Sequence, residues 1–232
     1  MNYSIHPLGD SAVLIDFQIS DEEKCLNLIT SLTYALTKNL HEAIVEIVPA
    51  YKTVTVHFNP LQIQSLSPFN GIKDLLMDEI KGLELRGESI STEIITIPVL
   101  YGGEAGPDLQ FVAQHNGISE ERVIALHSQQ VYSVAFLGFT PGFPFLKGMD
   151  PKIAAPRRHN PRIRIDAGSV GIAGSQTGVY PISSPGGWQI IGKTPVKLFD
   201  PDNPSQPALL SQGNKVRFSP ITKAEYERRE EC

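Results

Sequence analysis

Glycine and proline are distributed very unevenly along this 232-residue chain, and their distribution constrains its fold more than any other feature. Fifteen of the 19 glycines and fourteen of the 18 prolines lie from Pro98 onward. The charge balance changes at the same place, from 6 basic against 13 acidic residues over 1–97 to 14 against 12 over 98–232. Glycine and proline mark turns and interrupt helices and strands. The two halves are therefore expected to differ in their secondary structure. We therefore expect two domains, 1–97 and 98–232.

The first half has the hydrophobic pattern of a compact α/β domain. Short apolar or β-branched runs predict strands, and apolar residues at helical spacing predict amphipathic helices. In chain order these elements are a strand at 11–17, a helix through 25–36, strands at 43–49 and 52–58, a helix through 72–83, and a strand at 92–99. The order β-α-β-β-α-β predicts a ferredoxin-like domain and makes the whole chain an α+β protein.

The second half opens with two short helices and continues as β structure. Residues 107–128 imitate a helix-turn-helix, but the second helix begins with Glu120 and Glu121, and the chain carries a net charge of −5. Acidic side chains at that position repel DNA phosphates, so we expect no nucleic acid partner. From residue 131 onward, β-branched and aromatic runs alternate with Gly/Pro turns, which predicts an all-β barrel or sandwich.

The bulk sequence also narrows the location and the chemistry. No apolar run reaches the length of a membrane span, and no basic-then-apolar export segment begins the chain. With two cysteines, Cys25 and Cys232, a disulfide is not expected and a cytoplasmic setting fits. HExxH, CxxC and GxSxG motifs are absent from the sequence, so it offers no metal site and no nucleophilic serine elbow.

One stretch matches a phosphate-binding pattern. Residues 187–194 read G-x-x-x-x-G-K-[ST], as in a P-loop. The intervening residues include Trp188, Ile190 and Ile191, whose side chains resist the required loop geometry and favour a strand. The following residues 195–199 are also strand-like, so no helix receives the phosphate. We expect a β-strand here and no P-loop.

Two features of the second half predict a ligand site. Residues 147–164 hold six basic side chains against one acid, Asp150, which indicates either a solvated basic face or an anion site for carboxylate or phosphate. The segments 138–143 and 183–188 place aromatic residues beside glycine and proline, as a rigid apolar pocket wall requires. His127, at the end of the second helix, is either a core histidine or a catalytic one.

Four segments carry a resemblance to a known family. They are "PVLYGGEAGPDL" (98–109), "LGFTPGFPFLKG" (137–148), "PRIRIDAGSVGIAGSQTGVYPISSPGGWQIIGKTP" (161–195) and "LFDP" (198–201). In this order they resemble the family of the sporulation kinase inhibitor KipI, allophanate hydrolase subunit 1 and the B subunit of 5-oxoprolinase, over essentially the whole chain. The chain departs from the family at Ile165-Asp166, where Val-Pro is expected. The resemblance implies a small α/β domain followed by a cyclophilin-like β-barrel that carries the ligand groove.

The resemblance also implies a function. It points to the B subunit of a bacterial ATP-dependent 5-oxoprolinase, which opens the lactam of 5-oxoproline to glutamate together with C-type and A-type 5-oxoprolinase subunits. ATP, as Mg-ATP, would be bound by the assembled complex and would activate the amide oxygen by phosphorylation. Two alternatives stay open. One is a non-catalytic inhibitor that docks on a sporulation histidine kinase, and the other is subunit 1 of an allophanate hydrolase-like enzyme.

Under this hypothesis each candidate residue has an expected role. Guanidinium groups bind the carboxylate or phosphate, neutral polar groups orient the amide, aromatic rings form the walls, and an imidazole serves as general base. The guanidinium groups are those of Arg157, Arg162 and Arg164, and the neutral polar groups are those of Gln176 and Thr177. The aromatic rings are those of Phe139, Phe143, Tyr180 and Trp188, and the imidazole is that of His127.

Overall fold

The computed structural model describes residues 2–38, 41–86 and 93–230. The chain divides into two compact units, Met1–Ser91 and Thr92–Cys232. Each unit contains helices and strands, so the α+β class is confirmed. None of the helices within the described ranges combines the length and the apolar character that crossing a membrane requires.

The first unit is a four-stranded antiparallel sheet with two helices. Strands β1 (Tyr3–Pro7), β2 (Ala12–Phe17), β3 (Ile44–Pro49) and β4 (Thr53–Phe58) lie in the order β1-β2-β4-β3. Helices α1 (Glu22–Lys38) and α2 (Pro68–Arg86) supply the other half of the core. Alternate residues of β2 and β4 are buried, which gives the sheet one apolar face, and the apolar stripes of both helices join that face in a single cluster.

The ferredoxin-like plan is not confirmed. The strand expected to close the first domain, 92–99, appears as β5 (Ile94–Tyr101) and pairs with strands of the second unit. Its Ile97 and Val99 are fully buried in the core of that unit. The first sheet instead gains β1, a strand whose half-exposed side chains carry little hydrophobic pattern. The first unit therefore runs β-β-α-β-β-α, and the expected boundary at residue 98 lies inside β5.

The second unit is built on a closed barrel. Seven strands of the described chain close it in the order β10-β7-β6-β13-β5-β12-β9. Besides β5 these are β6 (Tyr132–Leu137), β7 (Pro144–Lys147), β9 (Ser169–Ala173), β10 (Gln176–Val179), β12 (Gln189–Lys193) and β13 (Lys215–Pro220). The expected cyclophilin-like barrel fits this architecture. The P-loop-like stretch is largely β12, so its prediction as a strand is confirmed. Residues 195–199, expected to be strand-like, form no strand and contribute only the isolated bridge between Phe199 and Ala208.

Smaller elements surround the barrel. Strands β8 (Arg162–Ile165) and β11 (Ser184–Gly186) form a separate two-stranded ribbon. Helices α3 (Leu109–Asn116) and α4 (Glu120–Gln129) are the pair that imitates a helix-turn-helix, and α5 (Lys223–Glu230) follows β13. The apolar residues of α3 and α4 belong to the barrel core, so this pair completes the packing of the second unit.

Candidate functional site

A small cleft in the second unit brings the predicted aromatic residues together. The cleft has a volume of about 290 Å³. We call it the aromatic cleft and define it by its lining residues, which are Phe139, Phe143, Phe145, Arg157, Pro161, Tyr180, Pro185, Gly186, Gly187 and Trp188. The ring of Phe143 stands nearly perpendicular to Tyr180 and Trp188, with centroid distances of 5.2 and 5.4 Å. Edge-to-face packing of this kind fixes the ring positions and gives the cleft a preformed wall.

The turn before β7 supplies the outer wall of the aromatic cleft. Phe139 has φ 69°, a positive value that no other non-glycine residue of the described chain adopts. Its side chain is 64% exposed, so burial does not account for the strained backbone. The turn is closed by hydrogen bonds from the Thr140 amide to the Gly138 carbonyl and from the Phe143 amide to the Thr140 carbonyl. A strained and exposed aromatic at a cleft is typical of a ligand-contacting residue.

Gly186 and Tyr180 meet closely on another side of the aromatic cleft. A Cβ on Gly186 would collide with the Tyr180 hydroxyl and would lie 2.8 Å from Ile165 Cδ1, so only glycine fits. Burial raises the pKa of Tyr180 to about 12, even though Arg157 and Arg162 act in the opposite direction. Tyr180 is therefore a neutral phenol at physiological pH.

Arg157 is the cation of the aromatic cleft. No hydrogen bond or ion pair joins its guanidinium to another residue within the described ranges. An exposed guanidinium beside an apolar wall binds carboxylate or phosphate through two parallel hydrogen bonds. The aromatic cleft thus combines apolar walls with one available anion-binding group.

Arg162 and Arg164 already have anions within the chain. Arg162 donates from Nη1 and Nη2 to Oδ2 and Oδ1 of Asp108, at 2.7 and 2.9 Å, and neither arginine lines the aromatic cleft. Arg164 donates from Nε to Asp166 at 3.1 Å, and both of these side chains are mostly exposed. Internal carboxylates therefore neutralise Arg162 and Arg164, and the structure does not bring them to the aromatic cleft with Arg157.

His127 and Thr177 lie in the barrel core, outside the aromatic cleft. The Thr177 hydroxyl donates to the Gly171 carbonyl, so its oxygen accepts from His127 Nε2 at 2.9 Å. His127 Nδ1 then accepts from the Tyr101 hydroxyl at 2.7 Å. Complete burial lowers the pKa of His127 to about 3 and keeps it neutral. Both ring nitrogens are used, so the geometry favours the core role over the catalytic one.

Gln176 begins β10 and is half-buried, in register with Ala173 of β9. It is not among the residues that line the aromatic cleft. Five of the ten predicted site residues therefore line one cleft, and they are Phe139, Phe143, Arg157, Tyr180 and Trp188.

Comparison with known proteins places the chain in a family. Residues 3–210 match the model of the carboxyltransferase domain, subdomain C and D. The chain belongs to this family. It is 43% identical over 233 residues to the B subunit of 5-oxoprolinase from Bacillus subtilis, and the match spans 97% of this chain and 96% of that protein. It is 45% identical over 183 residues to the B subunit of 5-oxoprolinase from Escherichia coli O157:H7, spanning 76% of this chain and 78% of that protein.

Several solved structures share the fold of this chain. TTHA0988 matches with a TM-score of 0.78 at 35% identity over 91% of this chain, and the chain spans 40% of that longer protein. PH0987 from Pyrococcus horikoshii matches with a TM-score of 0.56 at 44% identity, covering 96% of this chain and all of that one. Kluyveromyces lactis urea carboxylase, at 21% identity and a TM-score of 0.75, shows the same fold over 97% of this chain and 22% of its own.

Two features of the site were not predicted from the sequence. Phe145 lines the aromatic cleft two residues after Phe143, and the two-residue period of a strand could have found it. Asp108, which pairs with Arg162, lies 54 residues earlier in the chain. No local pattern connects residues at that separation, so Asp108 carried no signal.

Proposed function

We propose that this chain is the B subunit of an ATP-dependent 5-oxoprolinase, which cleaves 5-oxoproline to L-glutamate with ATP hydrolysis and acts with A-type and C-type 5-oxoprolinase subunits. Within this proposal the chain has two domains, and the barrel domain binds the substrate. The relatives of that name at 43–45% identity support it. The observation that carries it is Arg157 on the wall of the aromatic cleft, a guanidinium that no anion of the described chain neutralises.

The aromatic cleft suits the chemistry of 5-oxoproline. This substrate is a five-membered lactam ring with one carboxylate. The ring packs against the rings of Phe139, Phe143 and Trp188, and the carboxylate pairs with Arg157 through two charge-assisted hydrogen bonds. A volume of about 290 Å³ lies at the small end of ligand sites, which fits a small metabolite.

The reaction explains the need for partners. An unstrained lactam is a poor electrophile, so transfer of the ATP γ-phosphoryl group to the amide oxygen precedes attack by water on the ring carbon. The ring C–N bond then breaks as its nitrogen takes up a proton, which leaves γ-glutamyl phosphate. A second water hydrolyses this acyl phosphate, so the products are glutamate, ADP and phosphate. Among the described residues that line the aromatic cleft there is no carboxylate and no imidazole, and Tyr180 keeps its proton. We therefore assign the general base to one of the partner proteins.

We also assign ATP to the assembled complex. The stretch that imitates a P-loop is the strand β12, hydrogen-bonded to both β5 and β9, so its amides are not available to surround a phosphate. Arg157 is engaged by the substrate carboxylate in this proposal. The chain's own contribution is to bind the lactam, orient it and exclude water from the apolar face of the ring.

Phosphate release by the purified chain with its A-type and C-type partners tests the proposal. We expect release that depends on 5-oxoproline and that is lost when any one of the three proteins is omitted. Urea and allophanate, offered in place of 5-oxoproline, should give only background. Turnover without this chain would contradict the proposal, and turnover with allophanate alone would favour an allophanate hydrolase-like enzyme.

A further inference from the structure

The segment that carries Arg157 is held firmly to the barrel. We call residues 156–161 the Arg157 loop. Its first carbonyl, that of Pro156, accepts a hydrogen bond from Gln189 Nε2 at 2.9 Å. The amide of Arg158 donates to the Gly187 carbonyl at 2.7 Å. These two bonds join the loop to the residues on either side of Trp188, which also lines the aromatic cleft.

A buried carboxylate fixes two arginine side chains, one within this loop and one directly after it. Asp108 is 5% exposed. Its Oδ1 accepts from Arg158 Nη1 and from Arg162 Nη2, both at 2.9 Å, and its Oδ2 accepts from Arg162 Nη1 and the Ile190 amide, both at 2.7 Å. Arg158 directly follows Arg157 in the chain, and Arg162 directly follows the loop. Asp108 thus connects the Arg157 loop, at Arg158 within it and at Arg162 after it, to β12.

The position of Asp108 in the fold shows that this connection is its main role. It stands at the start of α3, where an aspartate ordinarily accepts hydrogen bonds from the first helical amides. Its side chain makes no such capping bond. All four bonds go to Arg158, Arg162 and β12. A buried network of charge-assisted hydrogen bonds tolerates little change in geometry.

We propose that Asp108 is a positioning residue that presents Arg157 to the substrate carboxylate. The proposal rests on the proposed function of the aromatic cleft. Asp108 holds the side chain of Arg158, while the neighbouring Arg157 lines the aromatic cleft. Loss of the carboxylate charge frees Arg158 and lets Arg157 leave this orientation, although Arg157 itself never touches Asp108 in the structure.

A double-mutant cycle in the assembled enzyme tests the proposal. Asp108→Asn keeps the shape of the side chain and removes its charge. We expect it to raise KM for 5-oxoproline about tenfold while kcat changes less than about threefold, because positioning acts on binding. In an Arg157→Gln background the same substitution should have almost no effect on KM, since the group that it positions is gone. Asp202→Asn, an exposed acid of the same unit, is the matched control and should behave as wild type.

A second measurement does not depend on the reaction. Trp188 is the only tryptophan of the sequence and lines the aromatic cleft, so its fluorescence reports on the Arg157 loop in the isolated chain. Asp108→Asn should increase quenching of Trp188 by acrylamide about twofold, as the loop loosens. If Asp108→Asn does not fold, Arg158→Gln removes one contact, leaves the Asp108–Arg162 pair, and carries both tests.

The two measurements separate the two proposals. An assembled wild-type enzyme without 5-oxoproline turnover would overturn the proposed function, and the quenching would then decide whether Asp108 fixes the loop. Equal KM effects of Asp108→Asn with and without Arg157 would overturn the positioning role. Wild-type quenching in both Asp108→Asn and Arg158→Gln would overturn it as well.

Discussion

Arg162 and Asp108 form a bidentate ion pair, with Nη1 to Oδ2 at 2.7 Å and Nη2 to Oδ1 at 2.9 Å. The carboxylate is buried, so this pair is part of the packing of the barrel unit. A ligand-binding role for Arg162, expected from the sequence, would leave folding unaffected when lysine replaces it. The structure predicts a loss of stability instead.

Arg162→Lys should lower the free energy of unfolding by about 2 kcal/mol, because lysine keeps the charge but cannot make both hydrogen bonds to a buried carboxylate. Urea denaturation followed by circular dichroism measures the change. Arg164→Lys is the matched control and should change stability by less than about 0.5 kcal/mol, since Arg164 and Asp166 are both mostly exposed. Equal stabilities of wild type and Arg162→Lys would show that the pair with Asp108 contributes nothing.

His127 should make stability depend on pH. Its pKa is about 3 in the folded chain, because burial disfavours the imidazolium, and about 6.5 in the unfolded chain. Between these values the unfolded state binds a proton that the folded state does not, so stability is complete above pH 6.5 and falls as the pH falls toward 3. His127→Gln should reduce the slope of unfolding free energy against pH by about 1.4 kcal/mol per unit between pH 4 and 6. An unchanged slope would show that the imidazole of His127 has the same pKa in the folded and the unfolded chain, as an accessible side chain does.

At position 139, a glycine variant should be more stable than an alanine variant, which is the reverse of the usual order. The φ of 69° at Phe139 lies in the left-handed region, which costs a side chain with a Cβ and costs glycine nothing. Phe139→Gly should therefore be more stable than Phe139→Ala by about 1 kcal/mol, measured by thermal unfolding. Both variants should raise KM for 5-oxoproline, because each removes the exposed ring. If Phe139→Gly were less stable than Phe139→Ala, the backbone at this position would not be strained.

Lys193 should be dispensable for ATP turnover. It ends β12 and pairs with Ser169 and Leu100 through the backbone. Lys193→Ala should keep kcat of the assembled enzyme within about threefold of wild type, because a strand cannot place this side chain as a P-loop does. A loss of more than about 100-fold, with the fold intact by circular dichroism, would restore the phosphate-binding role.

The sequence predicted the barrel because its glycines and prolines are local signals of turns between short strands. It misplaced β5 because the run Ile94–Tyr101 is apolar whichever sheet receives it. The sheet that β5 joins is determined by its pairing with β13. That strand lies at the other end of the second unit in sequence and pairs with β5 in parallel. Pairing partners at such separation leave no mark within either segment.

In the candidate site, too, the sequence predicted local features and did not predict long-range contacts. The aromatic walls were predicted because each ring is flanked by glycine or proline, which is visible locally. The arginines were predicted only as a charged segment, since Asp108 neutralises two of them from 50 and 54 residues away. Sequence alone therefore could not separate Arg157, which has no internal anion in the described chain, from Arg158 and Arg162.

The value of kcat/KM for 5-oxoproline in an Arg157→Gln complex tests the account most directly. Arg157 is assigned the substrate carboxylate, and loss of a charge-assisted pair costs about 1.5–3 kcal/mol, or roughly 10- to 150-fold in kcat/KM. Arg217→Gln, an exposed arginine on β13 of the same barrel, is the matched control. We predict that kcat/KM falls by this factor in Arg157→Gln, that KM for ATP stays unchanged, and that Arg217→Gln behaves as wild type. A wild-type kcat/KM for 5-oxoproline in Arg157→Gln would contradict it.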